Sequence, residues 1–322
     1  MKIVLTGSLG NISRPLAVEL IQKGHEVLII SHSQERVSAI EAMGARAAIG
    51  SVKDLSFLKS TFTGADAVYC MLPPFDYMDK NLDVMVEART IATNYAEAIL
   101  QSGVKRLVHL SSIGAHTDKG NGLLAFHHIA ESVFKELPSD ISIVTMRPVG
   151  FYYNVLNYID MIRGKGLLGF ILTLQYAGLG DLLKGRRGVI ASNFGGEDKL
   201  PWVSPLDIAA AIAEEISVPF AGRKIRYVAS EEITCNEIAR ILGEAIGKPY
   251  LKWALMTDKQ MLSGLKMFGV SEERAQGIVE MQAGSHTGSL EEDYYKNRPS
   301  TLGKVKWNDY AMEFAALYFA RK

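Results

Sequence analysis

Short apolar runs alternate with helical patterns through the first half of the chain. Ile3-Val4-Leu5 reads as a buried strand; Ile12, Leu16 and Leu20 follow at helical spacing until Gly24 stops that helix. Val27 to Ile30 predicts a second strand, Gln34 to Met43 a helix stopped by Gly44, and Arg46 to Ile49 a third strand. Asp54 caps a short helix running to Phe62, Ala67 to Met71 is the fourth strand, and Pro73-Pro74 forces a break. Leu82 to Gln101 predicts a long helix ended by Gly103, Arg106 to Leu110 a fifth strand, Leu123 to Leu137 a helix, and Ile141 to Met146 a sixth strand. The strands are continuously apolar rather than alternating, so both faces of their sheet must be covered. Strands in that style, separated by helices, predict an α/β, Rossmann-type doubly wound parallel sheet.

After Met146 the rhythm breaks. Residues 151–188 are rich in Tyr, Leu and Gly and lack a clean period. Trp202 to Asp207 predicts a short strand and then a cap, with Pro205 preset for the first turn of a helix that runs on to Ile216. Arg226 to Ala229 reads as a strand, and Thr234 caps a helix to Ile246. The expected organisation is residues 1–150 as the nucleotide-binding domain and residues 151–322 as a smaller α+β lobe packed on it.

Composition narrows the class. Thirty-five Lys plus Arg balance 35 Asp plus Glu, so electrostatics gives no reason to expect nucleic acid or an anionic membrane as partner. The one dense basic patch, Lys184-Gly185-Arg186-Arg187, reads as a solvated turn. Two distant cysteines, Cys70 and Cys235, exclude a disulfide framework and a cysteine-rich metal site; no metal is expected. The first residues lead straight into a motif and do not read as a signal peptide. The uncharged run Gly166 to Gly180 falls short of the ~20 residues of a bilayer span. A soluble, cytoplasmic protein is expected.

The motif is Gly7-x-x-Gly10-x-x-Ser13, between the first strand and the first helix. A glycine pair there permits a tight turn and the close approach of a pyrophosphate, while the N–H groups opening the helix hold the anion. Gly7, Ser8, Leu9, Gly10, Asn11 and Ile12 are therefore candidate cofactor contacts. At the end of the second strand, where NAD binders carry an acid, stand Ser31, His32 and Ser33, with Arg36 beyond. With no carboxylate at the strand end to repel a 2′-phosphate, NADP(H) is expected over NAD(H).

Several strings together resemble the NmrA-like family of atypical short-chain dehydrogenases/reductases: Val4 to Gly10, Ser102 to Ser112, Met146 to Asn154, Trp202 to Ala209, and Glu232 to Ala239. The resemblance covers about residues 1–250 and implies a cleft between a nucleotide domain and a smaller lobe. Family members include NADPH-dependent quinone reductases and sensors that bind NADP without turnover. Short-chain reductases resemble one another in a Tyr-x-x-x-Lys pair, and here that spacing occurs only at Tyr318 and Lys322. The helix that should carry it reads Phe126-His127-His128-Ile129-Ala130-Glu131. His127 and Glu131 match the His-x-x-x-Glu spacing of NmrA-like quinone reductases, so His127 is the expected proton donor and Glu131 its orienting partner. The remaining cofactor contacts are expected at the carboxyl ends of strands: Met71, Leu72 and Pro73, Ser111 and Ser112, and Pro148, Gly150 and Phe151. His128, Tyr152 and Tyr153 are expected to meet a flat substrate. The reading is hydride transfer from NADPH to a quinone or similar carbonyl compound; the alternative is a redox sensor acting through a regulatory protein partner.

Overall fold

The computed structural model describes residues 1–76, 79 and 81–321. The first half alternates β1 (Lys2–Leu5), α1 (Ser13–Gln22), β2 (Glu26–Ser31), α2 (Val37–Ala42), β3 (Arg46–Ile49), α3 (Leu55–Phe62), β4 (Ala67–Met71), α4 (Val84–Ser102), β5 (Arg106–Leu110), α5 (Ala125–Lys135) and β6 (Ser142–Pro148). Local chemistry sets the ends. Asp83 accepts from the N–H groups of Met85 and Val86 to start α4, and Gly103 at φ 77° stops it in the left-handed region that suits glycine.

The second half supplies β7 (Gly150–Phe151), α6 (Ile159–Arg163), α7 (Gly166–Tyr176), α8 (Leu179–Leu183), β8 (Ile190–Ser192), β9 (Lys199–Val203), α9 (Pro205–Ser217), β10 (Arg223–Val228), β11 (Glu231–Thr234), α10 (Cys235–Ala245), β12 (Trp253–Leu255), α11 (Asp258–Met267), α12 (Glu272–Thr287), α13 (Glu292–Lys296) and α14 (Trp307–Ala320).

Seven parallel strands form the central sheet in the order β10-β6-β5-β4-β1-β2-β3. Side chains alternate across it. Ile3 and Leu5 join the core under α1 and α9, while Val4 joins the core under α3, α4 and α5. The chain leaves β1 toward β2 on one side and returns as β4 on the other, so a crevice opens at the carboxyl ends of β1 and β4. A third core fills the lobe, built on Tyr152, Trp202, Trp253, Trp307 and Phe314.

A cut at residue 150 does not follow the sheet. β10 pairs with β6 over Arg223 to Val228, and Ile208, Ile212 and Ile216 of α9 sit in the core beneath α1. The apolar face of α9 covers one face of the sheet while β10 pairs along the outer edge of β6, which draws residues 205–228 back into the sheet layer. No helix among the described residues is long and apolar enough to cross a membrane.

Candidate active site

The turn out of β1 holds Gly7 at φ 85° and Ser8 at φ 52°. A Cβ on Gly7 would fall 2.4 Å from Ser13 Oγ and 2.5 Å from Met71 Sδ, so glycine is required by space as well as by conformation. Ser13, in the place of a third glycine, is fully buried and donates to the Thr6 carbonyl at 2.8 Å; a small hydroxyl ties α1 to β1. Gly10 is exposed, and its N–H closes the turn on the Gly7 carbonyl at 3.0 Å. Ile12 precedes α1 and no side chain caps the first turn. Of the first three helical residues, Arg14 already gives its N–H to the Gly10 carbonyl at 3.0 Å and Pro15 has none, so a pyrophosphate would meet the backbone of the turn beside exposed Gly10 rather than a full turn of free helix N–H groups.

At the end of β2, Ser8 Oγ donates to Ser31 Oγ at 2.9 Å, and Arg36 Nη1 donates to Ser8 Oγ at 3.0 Å. The Ser33 N–H donates to Ser31 Oγ at 3.2 Å. Ser8, Ser31, Ser33 and Arg36 are thus one hydrogen-bonded corner beside the glycine turn. His32 is exposed and bonds none of them.

Across the crevice, the Met71 N–H donates to Thr6 Oγ1 at 2.9 Å, and Tyr95 OH holds the Met71 carbonyl at 3.0 Å. Leu72 is buried and Pro73 half-buried behind it. Phe75 meets Phe126 edge-on at 5.2 Å between centroids, and His127 lies against Phe126 at 4.2 Å. Ser111 and Ile113 follow β5 by hydrogen bonds to the Met146 and Pro148 carbonyls, which places Ser111 beside β6; Ser112 is half-buried. Gly150 and Phe151 continue into the second sheet, where Gly150 pairs with Trp202.

The expected His127–Glu131 pair is not formed. Glu131 Oε1 accepts from Arg147 Nε at 2.9 Å and from Ser111 Oγ at 2.5 Å, and Oε2 accepts from Arg147 Nη2 at 2.6 Å. A planar, permanently charged guanidinium fork on β6 outcompetes a neutral imidazole for the same carboxylate. Arg147 Nη1 also reaches Asp293 Oδ2 at 3.0 Å, and Tyr227 OH donates to that oxygen at 2.5 Å. Burial alone would lower the Arg147 pKa, but its bonds to Glu131 raise it.

His127 is half-buried with Nδ1 buried and unpartnered, and burial pushes its pKa down to about 3. His109 on β5 is held at about 3 as well, first by burial and then by nearby His127 and Arg147. His128 shares Nδ1 with the Ala115 carbonyl at 3.0 Å. Tyr152 does not face a substrate. It is fully buried, donates to the Val305 carbonyl at 3.0 Å and packs on Trp307, because its ring completes the core of the lobe. Tyr153 is half-buried against Phe151, its hydroxyl raised to about 12 by burial. Of the Tyr-x-x-x-Lys spacing, Tyr318 belongs to the lobe core and Lys322 lies outside the described residues.

Arg147, Tyr227, Asp293, His109 and Phe75 escaped the sequence reading. Arg147 and His109 carried a signal: each is a polar group set between apolar neighbours within a strand. An open groove of about 860 Å³ touches the outer rim of the glycine turn at Leu9, Gly10 and Asn11, and none of the crevice groups lines it.

Sheet order and glycine turn together define a Rossmann-type nucleotide-binding protein. Residues 7–152 match the model of the NAD(P)H-binding family. An uncharacterised protein of Schizosaccharomyces pombe is 27% identical over 78% of this chain and 82% of its own length. An NAD(P)H azoreductase of Xenophilus azovorans is 23% identical over 87% of this chain and 86% of its own. An NADPH-dependent quinone oxidoreductase of Escherichia coli, solved with NADPH, superposes with a TM-score of 0.70 at 19% identity, covering 98% of this chain and 99% of its own. The resemblance to NmrA-like reductases holds at the level of this shared fold.

Proposed function

We propose that the protein is an NADPH-dependent reductase of flat, conjugated acceptors, with quinones as the first choice. One observation carries the reading: among the described residues the crevice is lined with aromatic groups, while Ser111, Tyr227 and His127 are not poised to deliver a proton. His127 is neutral at physiological pH, because burial keeps its pKa at about 3. Ser111 has committed its hydrogen to Glu131, and Tyr227 its own to Asp293. Simple carbonyl reduction needs an acid at the nascent alkoxide. A quinone does not, because its reduced form spreads the negative charge over the ring. The names of the similar proteins, a quinone oxidoreductase and an azoreductase, agree with an acceptor of this type.

Gly7 to Ile12 would hold the pyrophosphate, and Ser31, Ser33 and Arg36 the 2′-phosphate. Met71, Leu72, Pro73, Ser111, Ser112, Pro148, Gly150 and Phe151 would line the path to the nicotinamide. When bound, NADPH supplies the reducing equivalent. His127 acts as a neutral ring against which the acceptor lies, and the Arg147–Glu131–Ser111 set holds α5 to the sheet behind it.

The test is NADPH oxidation with a panel of quinones and simple ketones. Quinones are expected to turn over and ketones to stay inert. His127→Phe should lower quinone turnover by only a few-fold, with no inflection near pH 6.5, against the roughly hundredfold loss expected for a true general acid. Ketone reduction, or a hundredfold loss on that substitution, would overturn the reading. The missing acid also suits a sensor that binds NADP(H) and signals to a protein partner. Tight NADPH binding with no turnover on any acceptor would move the assignment there.

A further inference from the structure

Helix α7 is built inside out. Its inward residues are small: Gly169 sits so close to the Gly164 backbone that a Cβ would fall 2.2 Å from the Gly164 carbonyl carbon. Thr173 is fully buried, donates to the Gly169 carbonyl, and accepts from the Gly188 N–H at 3.1 Å. Four of its large side chains face outward. Leu167, Phe170, Ile171 and Leu174, at the i, i+3, i+4, i+7 spacing of one helical face, are all exposed, Leu167 to 75%. Leu179 and Leu183 of α8 add to the exposed apolar residues, Leu183 at 79%. A contiguous exposed apolar face of this kind marks an interaction surface rather than ordinary surface.

Charge identifies the partner. From Met161 to Ile190 the chain carries Arg163, Lys165, Lys184, Arg186 and Arg187 against Asp181 alone, in a protein with no net charge. Asp181 is already engaged by Arg186 and Lys252. Lys165, Lys184 and Arg187 are exposed and make no ion pair among the described residues; Arg187 lies 5.9 Å over the Phe170 ring. Cations around a Leu/Phe face are the pattern of a helix lying in a lipid headgroup layer. A two-fold contact between copies would bring these five cations against their own images, with Asp181 already paired and exposed Asp160 adding a single carboxylate.

We infer that α7 and α8 form a docking surface for an anionic phospholipid membrane, which the protein contacts without crossing. The expectation of no membrane partner rested on net charge, which averages away this local rim. The inference does not depend on the reductase reading, because vesicle binding is measured with neither cofactor nor acceptor present.

The test is co-sedimentation of the full chain with phosphatidylcholine vesicles containing about 30% phosphatidylglycerol, or none, in low and high salt. Binding is expected only with the anionic vesicles, and it should weaken at high salt. Lys165→Glu combined with Lys184→Glu should cut partitioning by about tenfold or more. Leu167→Ser with Leu183→Ser should cut it comparably, and circular dichroism should show both variants folded. Failure to bind anionic vesicles, equal binding to neutral ones, or binding untouched by either double substitution would overturn the inference. So would a wild-type dimer that the leucine substitutions turn into a monomer without any vesicle binding, which would assign the face to a second copy.

Discussion

Arg36 spends one donor on Ser8 Oγ, and the rest of its guanidinium is exposed beside the glycine turn. Ser31, where an NAD binder would carry its acid, is 2% exposed and bonded to Ser8, so the corner offers hydroxyls and a cation. Arg36→Ala should weaken NADPH binding by tenfold or more, since a charge-assisted hydrogen bond is worth roughly 1.5–3 kcal/mol. NADH binding should hardly change. Calorimetry that found equal losses for the two cofactors would remove Arg36 from the 2′-phosphate site. Sequence spacing alone could nominate Arg36, but only the path of the turn after β2 decides that its side chain reaches back to Ser8.

Between elements, Arg147 joins β6 to α5 through Glu131 and to α13 through Asp293. The joint is anchored on α5, the helix on which the resemblance to short-chain reductases would place a Tyr-Lys pair. Removing one member of a fully buried pair costs ~3–5 kcal/mol, because the other charge is stranded. Asp293 keeps a quarter of its surface in water, so Arg147→Met should cost about 2–3 kcal/mol in urea unfolding. Arg147→Lys should recover only part, since an ammonium cannot make the two-pronged contact. An unchanged midpoint for Arg147→Met would mean that the three elements do not depend on this joint.

Across the whole molecule, His109 and His127 are held neutral by burial, with folded pKa values of about 3 against 6.5 for the free side chain. Between those values the unfolded chain binds more protons than the folded one. Stability is therefore complete above pH 6.5 and falls as pH drops toward 3. His109 is 1% exposed, and one such group contributes a slope of up to about 1.4 kcal/mol per pH unit. His109→Leu should reduce the proton uptake on unfolding by about one between mildly acidic pH and the carboxylate range. Denaturation curves at two pH values check this, and an unchanged slope would mean that His109 is not held neutral in the fold.

Six strands, their helices and the glycine turn were readable from the chain, because each depends on local spacing: apolar runs for buried strands, Asp54 and Thr234 for caps, and Gly7 for a tight turn. Strand order, the return of β10 to the edge of β6, and the partners of charged side chains depend on contacts between residues far apart in sequence. Glu131 illustrates the limit. Its spacing from His127 allows a pair on one helical face, but Arg147, 16 residues on and in another element, offers a stronger partner once β6 lies against α5. Tyr152 is similar: an aromatic cluster in the sequence gave no sign whether its rings line a cleft or a core, and packing against Trp307 from the far end of the chain made it core. The exposed leucines of α7 were likewise an uncharged run until the Gly164–Gly169 contact turned their large side chains outward. Periodicity tells which residues share a face; which partner that face meets is settled only when distant segments compete for it.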